Sequence, residues 1–139
     1  MNNNYDIIII GAGLSGISLA IELSLRTDKT ILILEKKDRL KKDKNWCFWS
    51  KPKNYFSDIV ENRWDKIVIR AKGRKLVKEH SQHSYLRISS KKFYDEGLKI
   101  INKTKASKIL FGQEIKKIKE FRDYIQVTTK KNTFYGKTL

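Results

Sequence analysis

Three glycines and one carboxylate carry the first chemistry in this chain. Gly11, Gly13 and Gly16 stand in the run GAGLSG, and Glu35 follows 19 residues after Gly16. A residue without Cβ enters backbone conformations closed to others, so Gly11 suits a tight turn. Gly13 lets the main chain approach a diphosphate closely, and Gly16 lets a helix lie tight against a strand. The first turn of such a helix leaves N–H groups free and its dipole end positive, which favours a bound phosphate. Gly11, Ala12, Gly13, Leu14, Ser15 and Gly16 are therefore the candidate diphosphate cradle. Glu35 is placed to accept hydrogen bonds from the hydroxyls of an adenosine ribose. Its charge would repel a 2′-phosphate, which disfavours NADP at this site. In the basic run that follows, Lys36 and Arg39 are candidates for meeting adenosine or phosphate groups, against the plainer reading of solvated loop cations.

The neighbouring elements have to place those groups, and their sequence agrees. YDIIII (5–10) is a continuous apolar, β-branched run, the mark of a strand buried on both faces. LSGISLAIELSLR (14–26) reads as a helix with Leu14, Ile17, Ile21 and Leu25 on one stripe. TILILE (30–35) is a second strand that ends on the acid. Strand, glycine turn, helix, strand and terminal carboxylate within about 31 residues make a Rossmann-like βαβ unit for a dinucleotide. The motif alone does not choose between FAD and NAD. Its place at the start of the chain, with a meander downstream, is typical of flavoproteins of the glutathione-reductase type.

After Leu40 the character changes. Residues 36–63 read as lysine-rich and irregular, interrupted only by an aromatic cluster and the lone Pro52. WDKIVIR (64–70) and KLVKEH (75–80) read as two strands joined by an AKGR turn, and residues 89–103 as a helix capped by Ser89 or Ser90. SKILFG, EIKKIK, DYIQVTT and TFYGKTL are four short strand-like segments, with KKN a turn before the last. The fold expected is α/β: a βαβ unit, an inserted irregular region over 36–105 with strands and a helix, and an antiparallel β-meander over 106–139. The whole of 1–139 is then one incomplete dinucleotide-binding domain.

Composition narrows the classes. With 139 residues the chain holds one ordinary domain and one modest core. Its 31 Lys+Arg against 15 Asp+Glu give a net charge of +16, which can mark nucleic acid or an anionic membrane surface as partner. The lysines are spread from Lys29 to Lys137, however, and the Lys, Asn and Ile bias is what an AT-rich coding sequence gives. Nucleic acid is ranked low. Cys47 is the only cysteine, so no internal disulfide can form, and a small buried hydrophobe is its simplest role. The start MNNNYD has no basic n-region, and no stretch reaches the ~18 apolar residues of a membrane span. A reducing, cytoplasmic setting is expected. His80 and His83 are too few for a metal site, and no metal is expected.

The run DKNWCFWS concentrates aromatic rings in a charged region. Each buried ring removes ~150–250 Å² from water, about 4–6 kcal/mol as an upper bound. The rings therefore either plug a core or line a site. Strand alternation would put Trp46 and Phe48 on one side and Cys47 and Trp49 on the other.

With DKNWCFW some ten residues beyond the acid of a GxGxxG unit, and YLRISSKKFYD at 85–95, the sequence resembles the lycopene cyclase family of carotenoid biosynthesis. Asn45 stands where relatives commonly have Thr. The resemblance implies FAD as cofactor, active in its reduced form, and NAD(P)H as the reductant. It implies a lipophilic linear carotene, lycopene, as substrate, and peripheral contact with the inner membrane surface. The reaction implied is a cyclisation without net redox change, in which an acid protonates the carotene end and the cation closes a ring. Relatives are more than twice as long, and the acid of the family lies beyond Leu139. The catalytic residues are thus unknown here: Asp43, Asp58, Glu61 and Asp65 show no spacing that marks a general acid. The competing readings are another FAD-dependent oxidoreductase or monooxygenase of the same fold, and a non-catalytic basic module for nucleic acid or a membrane surface.

Overall fold

A computed structural model describes residues 3–40, 44–51, 56–79, 82–104 and 106–139. Asp43, Pro52 and His80, weighed above, lie outside the described residues. In chain order the elements are β1 (Asn4–Ile10), α1 (Leu14–Arg26), β2 (Ile31–Leu34), β3 (Asn45–Ser50), a 3-10 turn (Ser57–Ile59), β4 (Asn62–Trp64), β5 (Lys66–Ala71), β6 (Arg74–Glu79), β7 (Ser84–Ser89), α2 (Ser90–Lys103), β8 (Ser107–Leu110), β9 (Ile115–Glu120), β10 (Ile125–Thr129) and β11 (Thr133–Thr138). They fall into two compact units, Met1–Leu40 with Asp95–Leu139, and Lys41–Tyr94.

The first unit is built on a six-stranded sheet of order β8-β2-β1-β11-β10-β9. β8, β2, β1 and β11 run parallel, while β11, β10 and β9 form an antiparallel meander. The segment expected as one meander thus divides. β8 is a parallel neighbour of β2, because its four residues follow a helix that returns the chain to the same end of the sheet. β2 is buried at all four positions, as an inner parallel strand should be. Ile8, Leu32, Leu34, Val127 and Phe134 form one core cluster, joining the parallel strands to the meander.

α1 buries Ile17, Ala20 and Ile21, with Ile17 and Ile21 lying against Gly97 of α2, and Ser24 Oγ meets Ser107 Oγ at 2.7 Å. Leu25, expected on the buried stripe, is 51% exposed. The buried arc runs from Ala20 through Ile17 to Ile21, and Leu25 lies about 40° beyond its Ile21 edge. At the opposite end of β1, Asp6 accepts the Thr30 N–H and hydroxyl at 2.9 and 2.8 Å and the Lys137 ammonium at 2.7 Å. One carboxylate thereby links β1 and β11 to the residue before β2. These bonds hold it ionised well below the usual carboxylate range.

The second unit holds the aromatic run. Residues 45–50, the aromatic interruption of the region read as irregular, form β3 and pair with β7 in a sheet of order β3-β7-β4. The predicted alternation is what makes this strand. Trp46 and Phe48 are half-buried, and Cys47 and Trp49 are exposed. Trp46 packs edge-on against Phe93 and Tyr94 at centroid distances of 5.2 and 5.6 Å, and Phe56 meets Phe93 at 5.1 Å. Core plugging therefore accounts for half of the cluster. Cys47 is exposed rather than buried, since it occupies the opposite side of the pleat. Ser89 Oγ accepts the Lys92 N–H at 3.4 Å, so Ser89 caps α2, and Ser90 is buried against Lys44.

Candidate functional site

The parallel strands β1 and β2 end side by side, and their carboxyl ends open on a crevice, the usual place for a ligand in an open α/β sheet. Gly11 leaves β1 with φ +96°, a conformation that disfavours a side chain, and its N–H donates to Leu34 O at 2.8 Å. The chain then enters α1 through Gly13, whose own side offers no capping hydrogen bond. A Cβ built on Gly13 meets nothing within 4 Å, and Gly13 and Ser15 are exposed. A Cβ on Gly16 falls 2.0 Å from Gly11 O and 3.4 Å from Ile9 Cγ2. The turn is thus open outward at Gly13 and closed inward at Gly16, with the free N–H groups of a helix start facing the open side.

Glu35 is buried behind this turn, at 8% exposure. Its Oε2 accepts the N–H of Ala12 at 2.8 Å, and its Oε1 accepts the N–H of Lys37 at 3.0 Å. Ala12 is fully buried, so the carboxylate satisfies a donor that water cannot reach. Each carboxylate oxygen keeps a further lone pair, so a ribose hydroxyl can still donate to it.

A cavity of about 470 Å³ lies at these strand ends, lined by Ile10, Gly11, Leu34, Glu35, Lys36, Gln113, Glu114 and Ile115. It brings together Gly11, Glu35 and Lys36. Leu14 and Gly16 support the turn from the helix side, and Arg39 lies exposed on the bend that follows, away from the lining. Gln113, Glu114 and Ile115 were missed from sequence. They arrive with β8, whose carboxyl end sits beside that of β2. Gln113 N–H donates to Glu35 O at 2.8 Å, and its side chain accepts from Thr129 Oγ1 at 3.0 Å. The rule that ligands bind at the carboxyl ends of parallel strands, applied to SKIL and the residues after it, is the signal that finds them.

Glu114 accepts from Lys130 at 2.6 Å and Lys116 at 2.9 Å, and these two ammonium groups pull its carboxyl down to about 2. A depressed carboxylate contributes stability that is full above its ordinary value of 4.5 and lost as pH falls toward 2. The urea midpoint is expected to fall as pH is lowered across that window. Lys130→Met should flatten part of that acid limb; an unchanged slope would show the pair to be without weight. The effect is modest, because the pair is exposed.

Glu61 and Asp65 are each held in an ion-paired, hydrogen-bonded network. Ser89, then Arg87 and Lys92, hold Glu61 below the usual carboxylate range, and Ser84 and Arg63 do the same for Asp65. Both are ionised at neutral pH, the opposite of a general acid. Asp58 lies exposed in the middle of the 3-10 turn, and His83 is exposed. Among the described residues no group of three or more His, Cys, Asp or Glu side chains could hold a metal ion, and no helix is long and apolar enough to cross a membrane.

This geometry has relatives. MymA of Mycobacterium tuberculosis, named as an FAD-containing monooxygenase, is 51% identical over 41 residues, 29% of this chain and 8% of its own. Among solved structures, p-nitrophenol 4-monooxygenase PnpA from Pseudomonas putida DLL-E4 superimposes with a TM-score of 0.74 at 12% identity, over 99% of this chain and 40% of that one. PqsL from Pseudomonas aeruginosa, an FAD-dependent monooxygenase, gives 0.73 at 15% identity, over 96% and 41%. The fold is shared with these enzymes, and the chain spans about two fifths of the solved structures' length. The family model for lycopene cyclase protein matches residues 6–132, nearly the whole sequence, and the chain belongs to that family.

Proposed function

We propose that this chain forms the FAD-binding part of a flavin-dependent cyclase that closes a ring at the end of a linear carotene such as lycopene. The observation that carries the FAD reading is the pairing of an open glycine turn at a helix start with a buried carboxylate behind it. The residues fit the group. Gly11, Gly13 and the N–H groups of the first turn of α1 would hold the diphosphate, and Glu35 would hold the adenosine ribose. Lys36, Gln113 and Ile115 would border the adenosine end, since they line the same cavity. Reduced flavin supplies an electron-rich ring that stabilises positive charge, with NAD(P)H as its reductant. The cyclisation itself is a proton-initiated ring closure with no net oxidation. What this chain's residues do is bind and orient: the turn fixes the diphosphate, and Glu35 fixes both the turn and the ribose.

FAD titration of the purified chain tests this, with Gly13→Val as control and folding followed by circular dichroism. Binding that resists high salt and is lost in the variant is expected. A folded chain that binds no FAD overturns the reading, and affinity that collapses with salt would favour a basic binding module instead. The second reading is an FAD-dependent monooxygenase, favoured by the 51% identity to MymA over 41 residues. Lycopene turnover by a full-length relative without net NAD(P)H consumption separates the two.

A further inference from the structure

Among the described residues, β5 and β6 form a two-stranded ribbon that pairs with neither of the other sheets. Its register runs from Lys66↔Glu79 to Ala71↔Arg74. Lys72 at φ 48° and Gly73 at φ 76° close it, the two positive angles of a type I′ turn. Every residue from Lys66 to Glu79 is exposed except Ile67, which is half-buried. Side chains alternate, so Val68 and Val77 share one face with Lys66, Arg70, Lys75 and Glu79, while Ile67, Ile69, Ala71 and Leu76 share the other with Arg74 and Lys78.

Two features of this ribbon are unusual for a free surface. Val68, Ile69, Leu76 and Val77 are 50, 51, 50 and 44% exposed, as two directly opposed apolar pairs, one per face. Isolated hairpins of this kind are marginal in water without a covering partner. The second feature is charge. Six cations (Lys66, Arg70, Lys72, Arg74, Lys75 and Lys78) face a single carboxylate, Glu79, within the ribbon. Arg70 lies directly opposite Lys75, a like-charge pair that destabilises a sheet unless an anion lies between. Near the tip, Ile69, Ala71 and Leu76 line one open depression of about 740 Å³ together with Lys72, Arg74 and Lys75. Apolar side chains flanked by cations at a fixed turn match a lipid surface, with acyl chains below and phosphates above.

We propose that the β5–β6 hairpin docks the protein on an anionic membrane surface. Ile69 and Leu76, which share one face, enter the headgroup boundary, and Arg70, Lys72, Arg74 and Lys75 around them meet lipid phosphates. The proposal deepens the carotene reading by naming the surface that would bring the site to a membrane-dissolved substrate, but it rests on the hairpin's own chemistry.

The test is co-sedimentation of the whole chain with phosphatidylcholine vesicles, with and without about one third phosphatidylglycerol. Partition onto the anionic vesicles is expected to exceed that onto neutral ones by about tenfold or more. Arg70→Glu with Lys75→Glu should lower it by about tenfold, and Ile69→Asn with Leu76→Asn by a similar factor. Lys117→Glu with Lys119→Glu reverses two exposed charges on β9 and is the charge-matched control; it should change partition less than about threefold. Equal losses in the β9 and hairpin charge variants would show diffuse attraction and overturn the proposal. So would absence of lipid binding by the folded chain, or a dimer in sedimentation velocity that the asparagine variant abolishes. FAD titration of the same samples reports the cofactor reading separately, so retained FAD binding with lost lipid binding sinks only the hairpin assignment.

Discussion

Gly16→Ala is expected to lower the melting temperature by about 10 °C or more and to abolish FAD binding with it. The added Cβ would lie 2.0 Å from Gly11 O, a main-chain atom that cannot rotate away. Either α1 backs off β1 or the Gly11 turn reopens. Overpacking on this scale costs about 3 kcal/mol, at the upper end for a single added methyl group. At roughly 3–4 °C per kcal/mol for a chain of this size, the shift is easily read by circular dichroism. Gly13→Ala is the counterpart. Its Cβ meets nothing within 4 Å, so stability should stay within about 0.5 kcal/mol while FAD affinity falls. A Gly16→Ala protein as stable as the parent would mean that the turn does not close as described.

Glu35→Gln should weaken stability and FAD affinity together. The carboxylate accepts two backbone N–H groups, from Ala12 and Lys37. Glutamine keeps the shape but turns an NH2 toward one of those donors, which loses one charge-assisted bond and weakens the other. The expected loss is about 2 kcal/mol of stability, seen as a lower urea midpoint, and about tenfold or more in FAD affinity. A reading in which Glu35 serves the ribose alone predicts loss of affinity with an unchanged midpoint. That outcome would remove the carboxylate from the structural role given to it here.

The part of this protein legible in its sequence is the part written in short range. The apolar run of 5–10, the glycine spacing and the helical stripe all act within about 31 residues, and α1 starts and ends at Leu14 and Arg26 as read. β3 showed its period in the alternation of Trp46 and Phe48 with Cys47 and Trp49, but not its partner β7, some 40 positions on. β8 was hidden for a different reason. Ile109 and Leu110 announce a strand but say nothing of its partner, and the pairing with β2 crosses more than 70 positions. Gln113 and Ile115 join the candidate site only through that pairing, so the rim of the cavity was as illegible as the strand order. Leu25 shows the converse case, a residue that fits the helical stripe but lies beyond the buried arc.

The place of β11 in the sheet has a consequence for how the molecule is made. Asn4 pairs with Tyr135 and Ile7 with Thr138, so the first strand finds its second neighbour only about 130 positions later. Closing so long a loop is slow, because chain entropy is lost before any contact rewards it. During synthesis β1 and β2 can pair early, yet β1 keeps one bare edge until residues 133–138 have left the ribosome. An exposed edge of isoleucines is a template for joining another chain. Nascent copies stalled before Phe134 are therefore the species in which chaperone capture or aggregation would concentrate.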